Sequence, residues 1–147
     1  MVRLLSRSPA ETETAGYRIG RMLRAGDLVK LYGDLGAGKT TMVRGIARAF
    51  GIAGEKVVSP SFTIITEYEG SPRLVHIDLY RIEGSRDLES TGIWDCIDSN
   101  SVAVVEWPER AGDELPEDAI VVRIEQTGDD EREITIEGID EENWHNL

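Results

Sequence analysis

Residues Gly33-Asp34-Leu35-Gly36-Ala37-Gly38-Lys39-Thr40 satisfy the pattern G-x-x-x-x-G-K-[ST] at every fixed position, and no other stretch constrains the fold as strongly. Three glycines let the backbone turn tightly with its N–H groups facing inward, which makes a concave anion nest. The positive end of a following helix adds to that field. Lys39 is placed to reach β- and γ-phosphate oxygens, and the Thr40 hydroxyl to ligate Mg²⁺. The flanks supply the context such a loop needs. Leu28 to Tyr32 (LVKLY) reads as a short apolar strand before it. Lys39 to about Phe50 reads as a helix with Met42, Val43, Ile46, Ala47 and Phe50 on one stripe, closed by Gly51. The expected nucleotide-binding set is Gly33, Leu35, Gly36, Ala37, Gly38, Lys39, Thr40 and Thr41, holding ATP or ADP with Mg²⁺.

The rest of the 147 residues alternates strands with helices. Thr12 to Arg24 has helical periodicity, with Ala15, Ile19, Met22 and Leu23 on one side. Residues 57–69 mix a loop with a strand, Leu74 to Asp78 is a buried-type strand, and Ser85 to Ile97 is helical in two pieces broken near Gly92. Val102 to Glu106 is another buried strand. Ile120 to Gln126 and Glu133 to Glu137 form a hairpin around Thr127-Gly128-Asp129-Asp130. The expected fold is α/β, a P-loop NTPase-like three-layer arrangement with a mostly parallel central sheet and a C-terminal antiparallel hairpin. Residues 1–147 are expected to be one domain, with the acidic tail 140–147 mobile.

A P-loop enzyme also needs an acid at the end of a neighbouring strand to hold the metal and its waters. Two segments fit: LVHID ending at Asp78 and VAVVE ending at Glu106. In a parallel sheet both carboxylates emerge at the strands' carboxyl ends, where ligands sit. His76 is expected to pack in or beside its strand, because no second histidine lies at metal-ligand spacing. Ser59-Pro60-Ser61-Phe62-Thr63 is either an ordinary Pro-containing turn or a hydroxyl-rich segment that orders on the γ-phosphate. Several nucleotide enzymes are excluded. There is no Asn-Lys-x-Asp for guanine and no D-x-x-G switch after Asp78, and no Arg-rich lid for a small-molecule kinase stands out.

Charge narrows the partners. The net charge is −12, yet residues 1–58 hold ten bases against five acids, and nine acids face only Arg132 within 125–142. An excess of acid argues against unaided nucleic-acid binding, since Lys and Arg neutralising phosphates supply most non-specific affinity. The single cysteine, Cys96, excludes an internal disulfide and a multi-Cys zinc site. With no apolar run near membrane-spanning length and no secretory h-region, the expectation is a cytoplasmic protein without a membrane partner.

GDLGAGKTT (33–41), SPSFT (59–63), HIDLYR (76–81) and VEWPER (105–110) occur in the order and spacing of the TsaE (YjeE) family, which the chain resembles over roughly residues 12–138. The resemblance implies a P-loop ATPase component of bacterial tRNA threonylcarbamoyladenosine formation. It implies TsaD and TsaB as partners, with tRNA met only through that complex and threonylcarbamoyl transfer left to the pair. Carried onto this sequence, it implies phosphate binding by Lys39 and metal ligation by Thr40 and Glu106. Asp78 would hold metal-bound waters or the attacking water, and Thr63 would be the γ-phosphate sensor. Tyr80 and Trp107 would shape the site or partner surface, and Glu13 and Arg132 would approach the adenine end. The catalytic set is thus Lys39, Asp78 and Glu106, and the metal set Thr40, Glu106 and Asp78. With no arginine finger evident, slow intrinsic turnover raised by TsaD–TsaB is expected. The alternatives are a small-molecule kinase with its substrate near Asp78, and a module that reads ATP against ADP without relevant hydrolysis.

Overall fold

Side-chain alternation in the central strands decides the architecture. In β2 (Leu28–Tyr32), Val29 and Leu31 join one core and Leu28 the other, and β5 (Ser101–Glu106) divides the same way, Val102 and Val104 against Ala103 and Val105. A strand apolar on both faces must be covered on both sides. One face packs on α1 (Pro9–Met22) and α2 (Lys39–Ala49) through Ala15, Ile19, Met42, Val43 and Ile46. The other packs on α3 (Ser85–Ser90), α4 (Ile93–Cys96) and a 3-10 turn over Pro108–Ala111 through Leu88, Ile93 and Ala111. The computed structural model describes residues 1–58 and 64–147, so the expected sensor segment Ser59–Thr63 lies outside the described residues.

The remaining strands are β1 (Val2–Ser6), β3 (Ile65–Tyr68), β4 (Arg73–Asp78), β6 (Ile120–Gln126) and β7 (Arg132–Glu137). The sheet order is β1-β7-β6-β2-β5-β4-β3. Its centre, β6-β2-β5-β4, is parallel, and the outer ladders β1/β7, β6/β7 and β3/β4 are antiparallel. This is the expected α/β three-layer fold with its C-terminal hairpin. No helix of the described residues is long and apolar enough to cross a membrane.

Three expectations need correction. Strand β1 was not expected; Val2 pairs opposite Ile136 and is buried in the core, so the hairpin becomes a three-stranded edge. Helix α1 begins at Pro9 rather than Thr12, because the Ser8 hydroxyl accepts the Glu11 N–H at 3.1 Å and Pro9 suits the first helical position. The tail expected to be mobile forms α5 (Glu141–His145). Asp140 caps it by accepting the Asn143 N–H, and Trp144 is 2% exposed in the main core with the Arg18 guanidinium 4.0 Å over its ring. Burial of this large aromatic, with Arg18 Nη2 donating to the Trp144 carbonyl at 2.9 Å, docks the short helix.

Candidate functional site

The glycine-rich loop leaves β2 and turns into α2. Gly36 and Gly38 hold left-handed φ values of 78° and 107°, which a side chain resists. A Cβ on Gly33 would lie 3.0 Å from the Ile124 carbonyl oxygen, so the loop also needs glycine there to pass under β6. Gly38 is the N-cap of α2 and makes no side-chain capping bond, so the first N–H groups of the helix face the loop. Arg132 braces the opposite side. Its Nε donates to the Ala37 carbonyl at 2.8 Å and its Nη2 to the Gly36 carbonyl at 3.3 Å, while Nη1 reaches the hairpin carbonyls of Gly128, Asp129 and Glu131. With those two loop carbonyls turned outward to Arg132, the loop is held in one shape.

Strand register gathers the acids. Asp78 sits opposite Glu106 in the β4/β5 ladder, and His76 opposite Val104. Leu74 and Val104 belong to the core under α1 and α2, so period-2 alternation puts His76, Asp78 and Glu106 on that same face, toward the start of α2. Lys39, 6% exposed, donates from Nζ to the Gly33 carbonyl at 2.6 Å, and Nζ lies 3.9 Å from Glu106 Oε1. Burial holds the Lys39 ammonium below the ordinary lysine range, opposed by the negative charges of Glu106 and Asp78. Asp78 is half-buried, and its Oδ1 accepts the Tyr80 N–H at 2.9 Å. Burial raises its carboxyl above the usual carboxylate range, against the lowering effect of that backbone bond. The other oxygen of Glu106, Oε2, is hydrogen-bonded to His76 Nε2.

The oxygen donors here (the Thr40 hydroxyl and the Asp78 and Glu106 carboxylates) suit a hard divalent cation. Among the described residues no cluster of three or more His, Cys, Asp or Glu side chains forms a closed metal cage. Magnesium fits such a set, since it keeps waters and phosphate oxygens beside one or two carboxylates.

Trp107 follows Glu106 at φ 56°, the one non-glycine with positive φ among the described residues. A bulky residue in that region is strained by about 1–2 kcal/mol. The turn aims its ring under Lys39, whose Nζ is 4.0 Å from the ring centroid; Tyr80 packs against the same ring at 5.0 Å, and Arg110 lies beside both.

The structure therefore places Gly33, Leu35, Gly36, Ala37, Gly38, Lys39, Thr40, Thr41, Asp78, Glu106 and Arg132 around one loop. Glu13 is not among them. It pairs with Arg48 at 2.9 Å and lines a separate hollow with Arg44 and Gly51–Glu55. Ser8, Pro9 and Thr12 at the start of α1 line a hollow of about 160 Å³ with Gly36, Gly38, Thr41 and Arg132. Sequence reasoning missed the Glu106 contact of His76 and the loop-bracing role of Arg132. The i, i+2 spacing of His76 and Asp78 on a strand was the available signal for the first.

Known proteins resemble this chain in sequence and fold. The model of the family described as threonylcarbamoyl adenosine biosynthesis protein TsaE matches residues 6–134. The TsaE protein of Treponema pallidum is 39% identical over 92% of this chain and 99% of its own length, and that of Streptomyces coelicolor 43% identical over 86% and 89%. The TsaE protein of Bacillus subtilis is 39% identical over 90% of this chain and 82% of its own. Among solved structures, Bacillus subtilis YdiB superposes with a TM-score of 0.73 at 35% identity, covering 92% of this chain and 83% of that one. The chain belongs to the TsaE family of threonylcarbamoyladenosine biosynthesis proteins.

Proposed function

We propose that this protein is the ATP-binding and ATP-hydrolysing accessory component of tRNA threonylcarbamoyladenosine formation, working on the TsaD–TsaB pair in the cytoplasm. The observation that supports this most directly is the convergence of Lys39, Asp78 and Glu106 at a braced phosphate loop in a TsaE-family chain. The loop N–H groups and Lys39 bind the β- and γ-phosphates, and Thr40 and Glu106 hold the metal. Magnesium, when bound, supplies positive charge against the phosphate oxygens. Asp78, opposite Glu106 in the β4/β5 ladder, orients the attacking water in line with the leaving group. Positioning and electrostatics suffice for a reaction of this class.

The acidic excess disfavours direct tRNA binding, so tRNA is met through the complex. The test is ATP turnover with magnesium, alone and with TsaD–TsaB added. The expected result is slow turnover that the pair raises by at least about tenfold, lost in Lys39→Ala and Glu106→Ala proteins that still fold. Turnover indifferent to the pair would detach the site from tRNA modification. A phosphorylated small molecule among the products would favour a kinase.

A further inference from the structure

The imidazole of His76 is fully buried, and among the described residues only its Nε2 nitrogen has a partner, the Glu106 carboxylate. Nδ1 has no hydrogen-bond partner among the described residues. Leaving a buried polar atom unpaired costs about 1–3 kcal/mol, which an apolar side chain at this strand position would avoid. Core packing therefore does not account for the residue; its bond to Glu106 does.

We propose that His76 is a positioning residue that locks the orientation of the Glu106 carboxylate for metal binding, a role that rests on Glu106 being a metal-site acid. Three observations fix the arrangement. His76 lies two residues before Asp78 on the same face of β4, one rung behind the Asp78–Glu106 pair, so its ring reaches Glu106 from the core side. Its bond takes Oε2, which leaves Oε1 toward Lys39, 3.9 Å away, at the mouth of the loop. Both side chains are at most 5% exposed, so water does not substitute for the missing donor. The proton arrangement follows from the same geometry. With the proton on Nε2, the ring donates to a carboxylate and the unpartnered Nδ1 is a bare acceptor. The opposite tautomer would bury an unpaired N–H, the rarer situation in proteins. A donor that fixes the plane of a ligating carboxylate is an outer-shell device, and its removal usually lowers metal affinity about 10–100-fold.

The experiment uses the full chain and Mn²⁺ as a paramagnetic stand-in for Mg²⁺, titrated into the protein–ADP complex, with ADP affinity measured separately in chelator. His76→Leu is expected to weaken Mn²⁺ binding at least about tenfold while metal-free ADP affinity stays within about twofold of wild type. His76→Gln, whose amide extends a donor toward the position of Nε2, is expected to recover most of the loss. Wild-type Mn²⁺ affinity in His76→Leu overturns the proposal, and so does a Gln variant no better than Leu. An equal loss of metal-free ADP affinity also overturns it, because that is general collapse of the site. Glu106→Gln separates the two layers of the argument. If it weakens Mn²⁺ binding and His76→Leu does not, positioning by His76 fails alone; if neither does, the metal assignment of Glu106 falls and takes the proposal with it. Should the Leu variant not fold, the long-range ¹H–¹⁵N spectrum of the wild-type protein decides. A His76 proton on Nε2 supports the proposal, and a bare Nε2 overturns it.

Discussion

Asp78 and Lys39 show how burial sets the electrostatics of single residues here. Desolvation raises the Asp78 carboxyl and lowers the Lys39 ammonium, each toward its neutral form, and their mutual attraction only partly opposes it. For Asp78 the sign has a measurable consequence. Its folded-state pKa lies above the ordinary value of 3.8, so the folded state holds the proton more tightly than the unfolded chain. That contribution to stability is full below the unfolded value and is lost as pH rises through the raised folded value. At neutral pH the ionised carboxylate costs stability, and Asp78→Asn removes the cost. In chelator and without nucleotide, thermal melts should show the Asn variant more stable than wild type at pH 7–8, with the gain vanishing near about pH 4. A gain of equal size at both pH values would contradict this. Arg132 acts at the same scale through its planar fork. Its Nε and Nη2 serve adjacent loop carbonyls while Nη1 serves the hairpin, a pattern a lysine cannot copy. Arg132→Ala and Arg132→Lys should both weaken ADP binding by about tenfold, the worth of one lost charge-assisted bond, as read by calorimetry. Wild-type affinity in the Lys variant would show that charge alone matters.

At the scale of elements, α1 and α2 meet through glycine. A Cβ on Gly45 would lie 2.0 Å from the Glu13 carbonyl oxygen and 2.7 Å from the Tyr17 nitrogen, and one on Gly16 2.2 Å from the Met42 carbonyl. These neighbours are backbone, so the helices must part to admit a methyl group. Gly45→Ala should destabilise by about 1–3 kcal/mol, lowering the melting temperature about 2–4 °C for each kcal/mol. Because α2 begins at Lys39, separation of the helices should also weaken nucleotide binding. An unchanged melt would contradict the close approach. The tail gives the converse test. Removing residues 140–147 takes Trp144 out of the core and should cost about 3–5 kcal/mol, visible in denaturant melts, whereas a mobile tail would be lost without effect.

Legibility in the sequence followed contiguity. The strand–loop–helix around Lys39 was readable because each turn of its geometry is written in adjacent residues. Strand β1 was not, because VRLLS is short and interrupted by Arg3, and its partner β7 lies some 130 residues away. The contact of His76 with Glu106 depends on the β4/β5 register, and the bracing by Arg132 on how the hairpin folds over the loop; neither is a local property. The start of α1 was placed too late, at Thr12, although Ser8-Pro9-Ala10-Glu11 carries the local signal, a serine cap followed by a proline that opens the helix.

Across the whole molecule, the candidate site residues concentrate at one edge of the sheet. The carboxyl ends of β2, β4 and β5 deliver the loop, Asp78 and Glu106 to a single place, and the braced hairpin closes one side of it. The chain joins a phosphate-type loop and a net charge of −12 to membership of a family named for threonylcarbamoyladenosine biosynthesis, and the function proposed above rests on that combination. The most direct test is a reconstituted reaction with substrate tRNA in excess over TsaD–TsaB. With this protein, ATP and magnesium, modified tRNA should accumulate well beyond one equivalent of the pair, and with Lys39→Ala in its place it should stall near one. Continued accumulation with the Lys39→Ala protein, or with no added chain at all, would contradict the account.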